Sequence, residues 1–390
     1  MANAAFDAVV VGAGIIGTST AYALSQRGLK VLAIDALAGA GQGATSSSLA
    51  MIRTQYSTRE GTALAWEGYH CWKDWPAFVA LPEDEPIAPF HLAGVLTFKT
   101  KNNGFLEYPL QFSKELGIPF TSWPLEKLRL VFPTWNFTSF GPPVVSEHPA
   151  FATSAKSVAR LYDSLHDPAL RDTLFHHMVF GFPDGGMFLS LPMPGPDDGP
   201  HKGNRRCHFV WFRSATDGEL TTLCTDATGK QHGLAIPPPL IRSELISSLK
   251  RDADALLAPQ LAALVHRTRQ VMLQPIFDLE SEQLAFGRVA LLGDAAFVAR
   301  PHVATGVMKA ALDAQALADR LAADSIDAGL AHYDSERCRF GHWLVERGRH
   351  IGRTMMAQDM NPEQRIDILM REYGAAGVVN QTAITAQAAQ

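Results

Sequence analysis

Apolar and polar positions follow two rhythms along this 390-residue chain. Ala8–Val11 is a short, β-branched apolar run of the kind that forms a buried parallel strand. Thr18–Gln26 changes to the helical period with small residues, and Gly28 is placed to stop it. Lys30–Ile34 predicts a second strand. Helical spacing returns over Glu60–Val79, where Leu64, Trp72, Trp75 and Val79 form a stripe that reads as core. It recurs over Phe105–Leu116, Lys156–Phe175 and Leu240–Leu264, the last followed by the extended stretch LQPIFDLE. Strands are predicted at Gly94–Lys99, Phe175–Phe182, Met187–Pro192 and Cys207–Arg213, the last three as an antiparallel sheet. A long polar loop, PGPDDGPHKGNRR, separates the last two. Near the C-terminus, a strand over Arg288–Leu292 leads to an Ala/Leu-rich helix over Gly306–Leu321.

Strand–helix–strand at one end and strand–loop–helix at the other enclose a strand-rich middle. This order predicts an α/β fold, with a Rossmann-like nucleotide domain and a mainly antiparallel substrate domain. The nucleotide domain is expected to be discontinuous, from residues 1–80 and 270–360, with 81–269 as the substrate domain. The Pro-rich stretch Gly141–Pro143 reads as a junction. Residues 361–390, rich in Ala and Gln, read as a fraying tail.

Composition narrows the function more than the fold. A hydrophobic fraction of 47% with 19% charged residues describes an ordinary globular chain, and a net charge of −5 gives no reason to expect nucleic acid or a membrane surface as partner. Cys71, Cys207, Cys224 and Cys338 show no CxxC spacing, so no metal site or disulfide framework is expected, and a reducing cytoplasm fits. The first apolar run lacks preceding basic residues and enters a glycine-rich turn, so it does not read as a signal peptide. No apolar stretch reaches the ~18 residues needed to span a bilayer.

Two motifs carry the chemistry. Gly12, Gly14 and Gly17 supply GxGxxG between the first strand and helix, and Asp35 closes the second strand 21 residues after Gly14. The glycines allow a tight turn, close approach of backbone to a pyrophosphate, and close helix–strand packing. The N–H groups at Ile15 and Ile16 and the positive end of the helix would face the phosphates. Asp35 can accept both ribose hydroxyls of an adenosine. The loop Ala38–Arg53 adds hydroxyls from Thr45, Ser46 and Ser47 and the charge of Arg53. The motif does not itself separate FAD from NAD.

The second motif is FGRVALLGDAAFVARPHVATGVMKAALDAQALADRL, Phe286–Leu321. Gly293 and Asp294 follow a strand, Pro301 lies in the loop, and Gly306 and Val307 open the helix. A carboxylate at Asp294 can accept from a ribityl hydroxyl. The helix start near Gly306 can favour negative charge on the pyrimidine end of a flavin. Asp313, further along, reads as structural.

The second segment resembles the FAD motif of the aromatic-ring flavoprotein monooxygenases (the p-hydroxybenzoate hydroxylase-like family). RDTLFHHMVFGFP, PGPDDG, FVWFR, IPPPLIR, QPIFDLES and GDAAFVARPHV look nearest to the branch acting on hydroxylated pyridines. This likeness spans about Val145–Met356. GAGIIGTSTAYALSQRG and GATSSSLAMIRTQY, by contrast, resemble the D-amino acid oxidase/sarcosine oxidase-type family, up to about Pro143. Both families share the glutathione reductase-like FAD fold. The chain departs from both: the oxidase family's C-terminal half is absent, the hydroxylases' mid-chain DG motif is absent (Asp217-Gly218 falls too late, in a turn context), and P-x-x-G-x-G-x-N reads PHVATGVM, with Ala304 and Met308 in place of glycine and asparagine.

The resemblance implies non-covalent FAD, reduction by NADH or NADPH, a flavin C4a-hydroperoxide, and oxygen transfer to a small aromatic or heteroaromatic ring. O₂ and that substrate are the implied partners, with a homodimer as an assembly to test. Pro301 and His302 would lie beside the flavin. His176, His177 and Arg213 are candidates for substrate contact from the sheet; in a strand only one of the two adjacent histidines can face a ligand. His177, Arg213, Pro301 and His302 form the expected catalytic set. Two other readings stand beside this one: an amine or amino-acid oxidase, and a flavin-binding protein with little activity because its halves come from two patterns.

Overall fold

The computed structural model describes residues 5–47, 59–80, 107–131, 186–193, 206–233, 235–257, 259–303 and 306–356. Residues 51–52, 54, 82, 90–92, 95–97, 144–146, 150–152, 179–181 and 183 are described as well. In chain order the strands are β1 (Ala8–Val11), β2 (Val31–Ile34), β3 (Met51–Ile52), β4 (Phe90–Leu92), β5 (Val95–Thr97), β6 (Thr121–Ser122), β7 (Val144–Ser146), β8 (Ala150–Ala152), β9 (Val179–Gly181), β10 (Gly186–Met193), β11 (Arg206–Arg213), β12 (Ala285–Phe286) and β13 (Val289–Ala290). The helices are α1 (Ile15–Ser25), α2 (Arg59–Lys73), α3 (Trp75–Val79), α4 (Glu107–Glu115), α5 (Leu125–Val131), α6 (Asp217–Leu223), α7 (Ser243–Leu256), α8 (Pro259–Arg267), α9 (Gly306–Ala323) and α10 (Ile326–Met355).

Two compact units emerge. One joins residues up to 48 with 277–352, and the other is built on 49–276. The first unit is thus built from chain segments more than two hundred residues apart. Helix α2, expected with the nucleotide domain, groups with the second unit.

In the first unit β1 and β2 pair in parallel, from Ala8 opposite Val31 to Val11 opposite Ile34. The crossover between them is α1. Its buried Ala23 and Leu24 meet Ala314 and Ala318 of α9, with Val10 and Val31 packed alongside. Alanines on both helices keep the axes close, which larger side chains would prevent. Arg27 and Asp319 form an ion pair across the same helix pair. A second core holds Leu284, Phe297, Leu317, Leu330, Tyr333 and Val345. Asp334 of α10 fastens the β12 end of this core by accepting from the N–H groups of Leu284 (2.5 Å) and Ala285 (2.8 Å).

Among the described residues, the second unit has three antiparallel sheets, ordered β11-β10-β9, β3-β8-β4 and β5-β7-β6. The longest pairing sets Gly186 opposite Arg213 and Met193 opposite Arg206. The inner face of this sheet, with Phe188 and Cys207, packs on Ala253, Leu257, Leu261, Leu264 and Val265 of α7, α8 and their connection.

Several predicted elements are cut differently. The helix expected over Glu60–Val79 breaks at Asp74, because Pro76 has no N–H to offer the carbonyl of Trp72. The helix-rich stretch expected over Leu240–Leu264 holds two helices, α7 and α8, with Pro259 opening the second. Arg288–Leu292 supplies only Val289–Ala290 as a strand. That strand turns back antiparallel on β12 through Gly287, at φ 60°. Leu292 remains extended and leads directly into Gly293. Asp217-Gly218 is the first turn of a helix rather than a turn: Thr216 and Glu219 form a complete capping box for α6. Helix α10, thirty residues long, had no counterpart in the sequence reading. The predicted helix Lys156–Phe175 lies outside the described residues.

Candidate functional site

The glycine turn is held from three sides. Gly12 continues the strand ladder by donating to Ile34 O at 2.7 Å, then adopts φ 104°. The Asp35 carboxylate accepts from Ala13 N–H at 2.6 Å and from Leu37 N–H at 2.8 Å. These backbone donors, Leu37 first, hold its carboxyl below the usual aspartate range, so it is ionised at neutral pH. Gly17 is fixed by sterics: a β-carbon there would lie 1.7 Å from Gly12 O. No other residue permits this helix–turn packing.

The loop after Asp35 folds back on the turn. Gly41 N–H donates to Ala13 O at 2.8 Å. Thr45, in a short 3₁₀ turn over Ala44–Ser47, presents Oγ1 to the N–H of Ile15 at 2.9 Å. An acceptor oxygen therefore sits at the start of α1, in the kind of position that a phosphate oxygen takes at a helix N-terminus. The helix offers no cap of its own from Gly14. Turn, helix start and acid fit the adenosine and pyrophosphate parts of FAD.

The second motif stands against the first. Gly293 has φ 58°, and a β-carbon on it would lie 2.6 Å from Cδ1 of Ile16. The Gly293–Asp294 turn thus rests on the first turn of α1, and both motifs share one unit. Asp294 is exposed beside it.

Behind that turn lies a buried charged cluster. Asp313 Oδ2 accepts from Gly293 N–H at 3.1 Å, and its Oδ1 accepts from Arg337 Nε at 2.8 Å. The ammonium of Lys309 donates to Gly293 O at 2.5 Å and stands 3.5 Å from Asp313. Lys309, Asp313 and Arg337 are 3%, 4% and 2% exposed, so the cluster is closed to water. Burial draws the ammonium of Lys309 below the ordinary lysine range, while Asp313 and Asp294 oppose that shift. The phenol of Tyr333, which donates to Leu291 O at 2.8 Å, is pushed up by the same burial.

The Arg300–Val303 loop is pinned separately. Arg300 and Arg349 both reach Asp278, at 3.2 and 3.1 Å, and Arg349 extends to Glu280 at 2.5 Å. His302 is buried under α10, where a β-carbon on Gly352 would lie 2.9 Å from its Cδ2. Burial first, and the charge of Arg300 second, bring its pKa down to about 4, with Asp278 pulling the other way. It is a neutral imidazole at pH 7. Pro301, Gly306 and Val307 are exposed.

The unit gathers Gly12, Gly14, Ile15, Ile16, Gly17, Asp35, Thr45, Gly293 and Asp294 around the two turns, with Pro301, His302, Gly306 and Val307 in the loop and helix that follow. Ser46 and Ser47 lie in the 3₁₀ turn with Thr45. Arg53, His176 and His177 are outside the described residues. Arg213 is committed elsewhere: its guanidinium pairs with Asp252 at 2.7 Å and lies 4.7 Å over the Trp211 ring. Among the described residues no three His, Cys, Asp or Glu side chains come together as a metal site. No described helix is long and apolar enough to cross a membrane. Sequence reasoning missed Lys309, Arg337 and Asp278. Lys309 left one signal, a Lys/Asp pair at i,i+4 within an alanine-rich helix face.

These features are similar to those of FAD-dependent oxidoreductases. Residues 7–150 match the family described as FAD dependent oxidoreductase, and residues 163–278 match an FAD binding domain-like family. The chain is 26% identical over 171 residues to 2,6-dihydroxypyridine 3-monooxygenase of Paenarthrobacter nicotinovorans, a match covering 43% of this chain and 42% of that protein. The match therefore spans less than half the length of this curated relative. Among solved structures, 2,6-dihydroxypyridine-3-hydroxylase from Arthrobacter nicotinovorans is similar in fold, with a TM-score of 0.54 and 15% identity over 91% of this chain and 95% of that one. A salicylate hydroxylase in complex with substrate has a TM-score of 0.52 and 14% identity over 99% of this chain and 98% of that one.

Proposed function

We propose that the protein is an NAD(P)H-dependent flavin monooxygenase that hydroxylates a small aromatic or heteroaromatic ring. The observation that carries the reading is the seating of the Gly293–Asp294 turn on Ile16, which brings an adenosine-binding turn and a ribityl-binding turn together in one unit. The likeness to 2,6-dihydroxypyridine 3-monooxygenase supports the choice of reaction. The FAD-binding domain, expected over residues 1–80 and 270–360, would narrow to residues up to 48 with 277–352, and α2 would join the substrate domain.

FAD supplies two-electron transfer from the nicotinamide and activation of O₂; one oxygen atom enters the ring and the other leaves as water. The chain does the holding. Asp35 accepts the ribose hydroxyls, and the N–H groups of Ile15 and Ile16 face the pyrophosphate once the hydroxyl of Thr45 shares or yields its place. Asp294 accepts a ribityl hydroxyl. The N-terminus of α9, at Gly306 and Val307, lends positive potential to the pyrimidine end. His302, neutral at working pH, shapes the loop beside it without adding charge. His177 and Arg213 are proposed for substrate contact, Arg213 by exchanging Asp252 for an anionic ring substituent.

The test begins with a visible spectrum and identification of the released cofactor. NAD(P)H consumption is then followed with and without hydroxylated pyridines or benzoates. Stimulation by the ring, with hydroxylated product, is the expected result. The match of residues 7–150 favours one rival, an amine or amino-acid oxidase. That enzyme would bleach its flavin with an amine alone, and this outcome would replace the monooxygenase reading.

A further inference from the structure

The cluster under Gly293 does more than fill space. A glycine peptide has one donor and one acceptor, and here both go to buried charged side chains. Asp313 takes the N–H of Gly293 and Lys309 binds its carbonyl oxygen. The carbonyl accepts from the Lys309 ammonium in addition to the N–H groups of Ala296 (3.1 Å) and Phe297 (3.0 Å), and a hydrogen bond from a charged donor is about twice as strong as a neutral one. The next residue is Asp294, whose exposed carboxylate can turn to a ligand. Because Gly293 sits at φ 58° against Ile16, its peptide has no freedom to relax if one anchor goes.

The inventory of charges also fits a device for orientation. Lys309 and Arg337 oppose Asp313 in the closed cluster, and Glu336 lies 4.0 Å from Arg337 at its edge. Asp294 is the other carboxylate that acts on Lys309. A cation fixed behind the turn holds that carboxylate in place without contacting the ligand.

We propose that Lys309 is a positioning residue for the cofactor. It clamps the Gly293 carbonyl from behind and so fixes Asp294 for the ribityl chain of FAD. This rests on the flavoprotein reading above and assigns a residue to it that touches neither FAD nor substrate.

The test is FAD affinity of the full-length apoprotein, measured by fluorescence quenching, in a double-mutant cycle. The variants are Lys309→Met, Lys309→Gln, Asp294→Asn and Lys309→Met with Asp294→Asn, and each apoprotein is also unfolded in urea. Lys309→Met should weaken FAD binding about 10-fold or more, in line with the loss of a charged hydrogen bond. Lys309→Gln, which can still donate to the carbonyl, should recover part of that loss. The decisive result is coupling: once Asp294 is Asn, removing Lys309 should cost much less affinity than in the wild type. Full additivity, or unchanged affinity in Lys309→Met, would overturn the proposal. If Lys309→Met does not fold, Lys309→Gln in the Asp294→Asn background closes the cycle by the same criterion. Wild-type protein that binds no FAD would instead overturn the flavoprotein reading, so the two failures are distinguishable.

Discussion

Ile16 and Gly293, 277 residues apart in sequence, touch so closely that the second has no room for a side chain. The Cδ1 and Cγ2 atoms of Ile16 lie 2.6 and 2.7 Å from where a β-carbon on Gly293 would stand. The contact locks one cofactor turn to the other, so their spacing is a property of the fold and not of the bound ligand.

Replacing Gly293 with Ala should therefore separate the turns. The cost combines overpacking, about 1–3 kcal/mol, with the strain of a non-glycine residue at positive φ, about 1 kcal/mol. Ile16→Ala should recover the overpacking part and leave the backbone strain. Urea unfolding of the two single variants and the double variant measures this directly. Purely additive effects would show that the two residues do not press on each other.

Asp313 neutralises two buried cations, and Asp313→Asn leaves them unmatched. Removing one partner of a buried ion pair costs about 3–5 kcal/mol, because the remaining charge stays out of water. The variant is expected to lose that much stability, or to be recovered unfolded. Arg337→Met together with Asp313→Asn should be less damaged than Asp313→Asn alone. The measurement is the midpoint and slope of denaturant unfolding.

His302 predicts a pH signature. Its folded pKa, about 4, lies below the unfolded value near 6.5. Between those values the unfolded chain binds the extra proton, so stability is full above pH 6.5 and declines as pH falls toward 4. The gap corresponds to about 3 kcal/mol at most, at 1.36 kcal/mol per unit. His302→Asn should flatten the pH dependence of unfolding between pH 4.5 and 7. An unchanged profile would assign the acid sensitivity to other groups.

Cys207 should be the least reactive thiol. It is buried among Phe188, Leu257 and Leu264, and burial pushes its pKa up to about 12. All four cysteines are free thiols. Titration with a disulfide reagent should therefore count four thiols in denaturant, with Cys207 reacting only on the timescale of unfolding in the native protein.

Much of the first unit was legible in the sequence because its signals are local. β1, α1 and β2 follow from apolar period and glycine placement, and Asp35 from its distance to Gly14. Gly293, Asp294 and the helix at Gly306 were legible for the same reason. The misses have physical causes. Pro76 breaks a helix whose apolar spacing continues across it. Lys309 and Arg337 are charged residues in a core, which periodicity assigns to the surface; only three-dimensional pairing with Asp313 makes their burial tolerable. Arg213 looked available for a substrate because nothing in the sequence ties it to Asp252, 39 positions later.

The ion pair between Arg27 and Asp319 carries a consequence for synthesis of the chain. The first half of the nucleotide unit leaves the ribosome with its helix lacking the α9 alanines that cover it, and the 228 residues 49–276 must follow before the second half begins. At about 5–20 residues per second, that wait lasts roughly 10–50 s. During this interval Ala23 and Leu24 stay open to solvent or to chaperones, so the cofactor cradle is completed late in translation, after the intervening unit has emerged.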